Sequence, residues 1–420
     1  MSVAFDNNVD ITVEIAFDSE PFDNSPTFTD ISQYVRSFST RRGRSNELAE
    51  FVGGSCEINL SNADNRFNPS QTTYYYDSAN SRTKIQPLKR IRISATYSST
   101  TYRIFEGFLS SIPVVFTAGG ADSIVKFTAD DAFKIFQSSN LDGIGWRLGT
   151  SGFTELGIST RLSYDDEQEL TSERATRILN AIGFPSDRRD VLTGTRNVIS
   201  QEITSNVLSA LKDCAIAENG QFFIAKDGKA TFRNREYRLS NTKAINVQST
   251  FSNTGSDLPY VNASTSFDDN EIINVYEWTR KNGNTQYVSD ADSVIRYRPK
   301  ENTKTTINTT DSDVLSIIQQ KLADTALPIV RIDNLTINPK DNTNLWSHIL
   351  DREFGDRIKV KIQAPDNSVF EDELFIESIN HSVNASSQTW SYSATLSPAG
   401  SSAWILGQAK LGEGTRFAYA

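Results

Sequence analysis

Val35-Arg36-Ser37-Phe38-Ser39-Thr40-Arg41-Arg42-Gly43-Arg44-Ser45-Asn46-Glu47-Leu48-Ala49-Glu50-Phe51, continuing through Cys56-Glu57-Ile58-Asn59-Leu60 to Asn62-Ala63-Asp64-Asn65-Arg66-Phe67-Asn68-Pro69, is the stretch that decides the fold. Apolar and polar residues alternate in both runs, the mark of strands with one buried and one solvated face. A Gly-punctuated connection joins them, and an Asn/Asp turn closed by Pro69 ends the second. A half-solvated strand needs a sheet or a partner. Arg36, Arg41, Arg42 and Arg44 lie close together, so this hairpin is expected to meet something acidic.

Working outward, Val9, Ile11, Val13, Ile15 and Phe17 alternate as a further strand, and a loop with Pro21 and Pro26 follows. Strands are predicted over 31–40, 54–61, 87–97 and 101–109. Ile112–Phe116 and Ser123–Ala129 are predicted to pair around Gly119-Gly120. Residues 1–135 therefore read as one antiparallel β domain. Its long polar loop over 68–86 carries Tyr74, Tyr75 and Tyr76, whose adjacent rings point to more than one face and favour a contact surface.

Residues 136–240 change period. Ala175, Ile178, Leu179 and Ile182 recur at helical spacing before Gly183 and Pro185, and Ile203, Val207, Leu211 and Cys214 repeat the pattern before Gly220. A hairpin with Asp227-Gly228 in its turn follows, giving a helix–helix–hairpin α+β unit. Residues 241–328 are polar and strand-like, with one helix started by Asp311 and striped by Val314, Leu315, Ile318 and Leu322. Alternation returns over 329–398 as a second all-β domain, with a short helical turn at Leu345-Trp346. Residues 399–420 read as an arm.

Composition narrows the function. The 420 residues hold 42 basic and 52 acidic side chains, a net charge of -10, which disfavours a duplex-DNA reader. Cys56 and Cys214 read as small buried apolar residues. The start Met1-Ser2-Val3-Ala4-Phe5-Asp6 lacks a basic, then apolar, signal, so folding in a cytoplasm is expected, with no membrane span. His348 and His381 have no partner at metal-ligand spacing, and no nucleophile elbow or phosphate loop occurs, so no cofactor or metal is expected. The acid pairs Asp130-Asp131, Asp165-Asp166 and Asp268-Asp269 read as loops and caps. Arg41-Arg42-Gly43-Arg44 reads either as a solvated turn or as an interface to an acidic neighbour; no aromatic residue interleaves it to stack bases.

Several segments, in order, resemble tail hub proteins of long-tailed phages, often called minor tail proteins. They are Thr40–Arg44 with Glu47, Leu48 and Phe51; Gly54, Ile58, Leu60, Asn62, Asp64, Arg66, Phe67 and Pro69; Asp213–Gly220 with Phe222-Phe223-Ile224, Asp227-Gly228, Phe232 and Arg235; Asn274-Val275 with Asp292-Ser293 and Tyr297; and Pro328–Arg331, Phe354–Ile358, Ile379–His381 and Trp390. The resemblance spans about residues 10–398. One position departs: Arg298 stands where a Gly is expected after Tyr297.

The resemblance implies a mainly β fold in which two tube-type antiparallel β-barrel domains at the chain ends flank two smaller domains. It implies a non-enzymatic virion protein at the tail tip, made in a bacterial cytoplasm, like the baseplate hub of contractile-tailed phages. There, a homotrimer of two-barrel subunits continues a sixfold tube, lines a channel for DNA in transit, and meets the distal tail protein ring, the tape measure protein and other tail-tip or fibre proteins, with the host envelope reached only indirectly. On this reading an acidic lumen repels phosphate, and Arg41, Arg42, Arg44, Tyr74, Tyr75 and Tyr76 are the interface candidates. The alternatives are the hexameric distal tail protein itself and a tail-borne carbohydrate-binding or carbohydrate-degrading protein.

Overall fold

Alternation becomes sheet in the computed structural model of the chain, which describes residues 3–5, 9–116, 122–140, 145–149, 152–156, 168–199 and 205–399. In Val35–Gly43 and Val52–Ser61, Phe38 lies opposite Ile58 and Thr40 opposite Cys56 on the buried face. Five strands make the first β unit. In space they run Val35–Gly43, Val52–Ser61, Ser123–Asp130, Thr100–Ser111, Arg90–Tyr97, every neighbour antiparallel. Numbered by their order along the chain, that is first, second, fifth, fourth, third. Val9–Ala16 extends the sheet beyond Arg90–Tyr97. Val114–Phe116 prolongs the fourth strand beside Ser123–Asp130, giving the expected hairpin, whose Gly119-Gly120 turn lies outside the described residues.

The last β unit repeats this plan. Asn262–Ser266, Arg331–Ile337, Thr389–Pro398, Val369–Asn384 and Arg357–Gln363 are neighbours in that order, all antiparallel. By chain order they too are first, second, fifth, fourth, third. The sixth position differs: Thr250–Ser252 joins Arg357–Gln363 in parallel. Strands within 250–266, which the sequence grouped with the polar insert, thus pair with the last unit. Asn262–Ser266 is an edge strand with only Ala263 apolar, so it lacks the alternation that marks a strand with one buried face.

The two units fuse. Val35–Gly43 also pairs antiparallel with Val369–Asn384, from Gly43 opposite Ser378 to Ser37 opposite Asn384. One sheet therefore crosses both halves of the chain. Gly43 is required at this seam: its φ is +114°, and a Cβ there would stand 2.3 Å from the Glu377 carbonyl oxygen.

Of the smaller units, one lies between the β units in the chain and the other between the first two strands of the last, Asn262–Ser266 and Arg331–Ile337. Helices Thr171–Ala181 and Val207–Glu218 pack on each other, and the hairpin of Gln221–Ile224 with Ala230–Arg233 follows. Asn206 caps the second helix by accepting the Ser209 N–H at 2.9 Å. Asn219 ends it in the left-handed conformation. Farther along, Val275–Arg280 sits between Thr285–Ser289 and Glu301–Thr306. Helix Asp311–Thr325 packs Val314, Ile317 and Ile318 against Tyr276 and Trp278. Its cap is Thr310, whose hydroxyl accepts the Asp313 N–H, with Asp311 the first helical residue. The fold is mainly β, with two like antiparallel units of tube type at the ends and an α+β insert between them.

Candidate functional site

Strand alternation leaves one face of the fused sheet to solvent, and its cross-strand rows are mostly hydroxyls and amides, with Glu57, Asp130 and Arg41 among them. Thr128, Glu57, Ser39, Ser382 and Ser391 stand side by side across five strands. The next row holds Asp130, Ser55, Arg41, Asn380 and Ser393, and Thr336 and Asn262 continue it. A third runs Ser378, Thr395, Asn334, Ser264. A hollow of about 530 Å³ lies over the seam on this face. The charges on it are few and of both signs: Lys126 pairs with Glu57 at 2.7 Å, Lys134 of the adjoining helix with Asp130 at 2.8 Å, and Arg41 projects from the seam strand. Around the hollow the face is hydroxyl-bearing, with paired charges of both signs.

The opposite side of the seam is held by buried ions. Glu377, fully buried on Val369–Asn384, accepts from Arg44 Nε, Arg238 and the Ser397 hydroxyl, each at 2.6 Å. Burial works to raise its pKa, but Arg44 and Arg238, with these hydrogen bonds, overcome that and hold it at about 2. Glu353 meets Arg42 at 3.1 Å and accepts the Lys226 backbone N–H at 2.9 Å. Here too burial opposes ionisation, and Arg42 and Lys226 keep the carboxyl below its usual range. The guanidinium of Arg42 also stacks on Phe354 and that of Arg44 on Phe51, both at 4.8 Å.

The acidic neighbour of the arginine hairpin is thus largely the other half of the same chain. Arg42 and Arg44 are turned inward and committed to Glu353 and Glu377, while Arg41 stays exposed on the polar face. Arg36 bridges to Asp122. The tyrosines divide similarly. Tyr75 stacks on Phe17 at 4.2 Å and on Phe67 at 5.8 Å, anchoring the loop to the core. Tyr74 is exposed beneath Arg66, and Tyr76 opens a two-residue strand paired with Arg82–Thr83. Glu353, Glu377 and Lys226 were missed. Glu377 alone carries a local signal, an acid beside the apolar run Leu374-Phe375-Ile376; its partner Arg44 lies 333 residues away, and Arg42 lies 311 from Glu353.

The remaining acids and histidines have local partners. Asp131 caps the helix Ala132–Ser138 and accepts the Gly54 N–H; burial pushes its pKa up to about 7 against those bonds and Arg42. Asp269 pairs with Lys300. Asp165-Asp166 lies outside the described residues. Buried His381 accepts the Trp390 indole N–H at Nδ1, 3.2 Å; burial, then Arg42 and Lys226, lower its pKa to about 3. His348 Nδ1 meets the Ser249 hydroxyl at 2.8 Å. Among the described residues no three His, Cys, Asp or Glu converge as metal ligands.

Three of the residues that carry the resemblance make buried hydrogen bonds. Asn62 is buried, accepting the Phe67 N–H and donating to Ser123. Glu218, also buried, accepts from the Thr171 and Thr195 hydroxyls and the Thr195 and Arg196 N–H groups. Asn274 Nδ2 donates to the Ser293 hydroxyl and the Arg298 carbonyl, both at 3.0 Å.

Neither a family model nor a curated protein matches this sequence. Solved structures do match in fold. A tail protein of Neisseria meningitidis is 10% identical with a TM-score of 0.56, over 93% of this chain and 96% of that one. The 43 kDa tail protein of prophage MuSo2 from Shewanella oneidensis is 12% identical with a TM-score of 0.50, over 93% and 98%. The chain therefore has the fold of phage tail proteins.

Proposed function

We propose that the chain is a structural tail hub: three copies form a ring at the tail tip, and the hydroxyl-bearing face lines a channel for DNA. The observation that supports this reading most is the duplicated strand plan, two like units fused edge to edge in one sheet. Such a chain supplies two tube segments, so three copies present six to a sixfold tail tube. The argument from fold to function is by analogy. The lining suits transit: a phosphate backbone held by no dominant cation surface and no base-stacking aromatic passes without a binding site. The distal tail protein ring above, the tape measure protein within, and tip or fibre proteins below are the partners this position entails. Its role is mechanical, and the carboxylates described above serve ion pairs and caps.

The experiment is a count of subunits in the purified assembly by native mass spectrometry, with an image of the tail tip. Three copies per ring is the expected result. Six would indicate a distal-tail-type ring, and a single chain that binds or cleaves glycans would indicate the carbohydrate reading.

A further inference from the structure

The seam inside the chain is a template for the contact between chains. At the seam, the first strand of the first unit, Val35–Gly43, pairs with the fourth strand of the last unit, Val369–Asn384. Because both units share one strand plan, the same operation leaves two counterparts open. Among the described residues the first strand of the last unit, Asn262–Ser266, pairs on one side only, with Arg331–Ile337. The fourth strand of the first unit, prolonged by Val114–Phe116, pairs there, among the described residues, only with Ser123–Asp130. We propose that Asn262–Ser266 of one copy pairs antiparallel with the Val114–Phe116 edge of the next copy, continuing the sheet from chain to chain.

Three observations carry this. Both edges end in large exposed apolar side chains: Val115 is 55% and Phe116 62% exposed on one, Val261 and Phe267 each 66% on the other. Unpaired, such edges invite strand addition. Pro113 does not spoil the first edge. Its carbonyl accepts the Lys126 N–H at 3.1 Å, so its missing donor faces the inner neighbour and the groups of Val114 and Phe116 face outward. Finally, the polar face continues across the junction. Val115 lies opposite Ile124 on the side that carries Lys126 and Thr128, and Ser264 lies opposite Asn334 on the side that carries Thr395. The contact joins unlike edges, so repetition closes a ring when the turn between units divides a circle, and three copies when that turn is one sixth.

This assignment rests on the hub reading, and its test separates the two. Cys56 and Cys214 are buried, so cysteines can be placed at the edges of the full-length chain without interference. Under mild oxidation, the double variant Val115→Cys with Ser264→Cys, or with Asn262→Cys should the register fall one pair along, is expected to convert to a covalent trimer. Each single variant is expected to stay uncrosslinked, and an equal mixture of the two singles to yield covalent dimers. Self-crosslinking of a single variant would overturn the assignment, as would no crosslink from either double variant while the unmodified protein still measures as three copies; the hub reading then survives. An unmodified protein of six copies, or one that stays single at every accessible concentration, overturns both.

Discussion

Arg298 shows how a single residue can be set against its backbone. It ends the helix Ala291–Tyr297 with φ +67° and ψ 163°, a region that strains any side chain with a Cβ, and Asn274 fixes it there by binding its carbonyl. The resemblance to tail hub proteins implies Gly at this place. Arg298→Gly should therefore raise stability by about 1 kcal/mol, the relief of strain exceeding the entropy that Gly adds to the unfolded chain; a lower urea midpoint would show that no strain is held there. Glu377 is the opposite case, a charge that fits. Glu377→Gln leaves Arg44 and Arg238 facing a neutral group in a buried site and should cost about 3–5 kcal/mol, read from the same midpoint. Asp131 titrates in an accessible range. Its folded pKa of about 7 lies above its unfolded value of 3.8, so its contribution is full below 3.8 and is lost as pH rises through 7. The stability of the natural protein relative to Asp131→Asn should thus fall by up to about 1.4 kcal/mol per pH unit across that window, measured by denaturant titration at several pH values.

Among the elements, those with a strong period were legible and those defined by distant partners were not. The alternation of Val9 to Phe17 and of Cys56 to Leu60, the stripe of Ala175, Ile178 and Leu179, and the Asp227-Gly228 turn all appear where the sequence places them, because neighbours in sequence dictate them. The edge strand Asn262–Ser266 was hidden, since its order comes from pairing and not from its own apolar side chains. The seam was hidden for the same reason: nothing near Arg42 or Arg44 announces Glu353 or Glu377. What the hairpin did disclose was a surplus of positive charge that demanded acid. Gly43→Val places a branched side chain into the Glu377 and Ser378 backbone at the seam. It should lower the melting temperature by several degrees, in line with overpacking costs of about 1–3 kcal/mol, whereas the same change at Gly255, which has open space around its Cβ direction, costs only its backbone strain.

At the scale of the whole molecule, the seam spans the chain nearly end to end: Arg44 and Glu377 are 333 residues apart. Pairing so distant is slow to form, because the loop must close before the contact stabilises anything. The strand Val35–Gly43 leaves the ribosome well before its partner Val369–Asn384. Throughout synthesis its bonding row stands open, attractive to any extended peptide nearby. A product truncated before Val369 would keep that row open permanently and should sediment as aggregate. Synthesis of Val369–Asn384 is thus the event that quiets the first sheet, and a chain stopped short of it is removed from the folded population by its own stickiness.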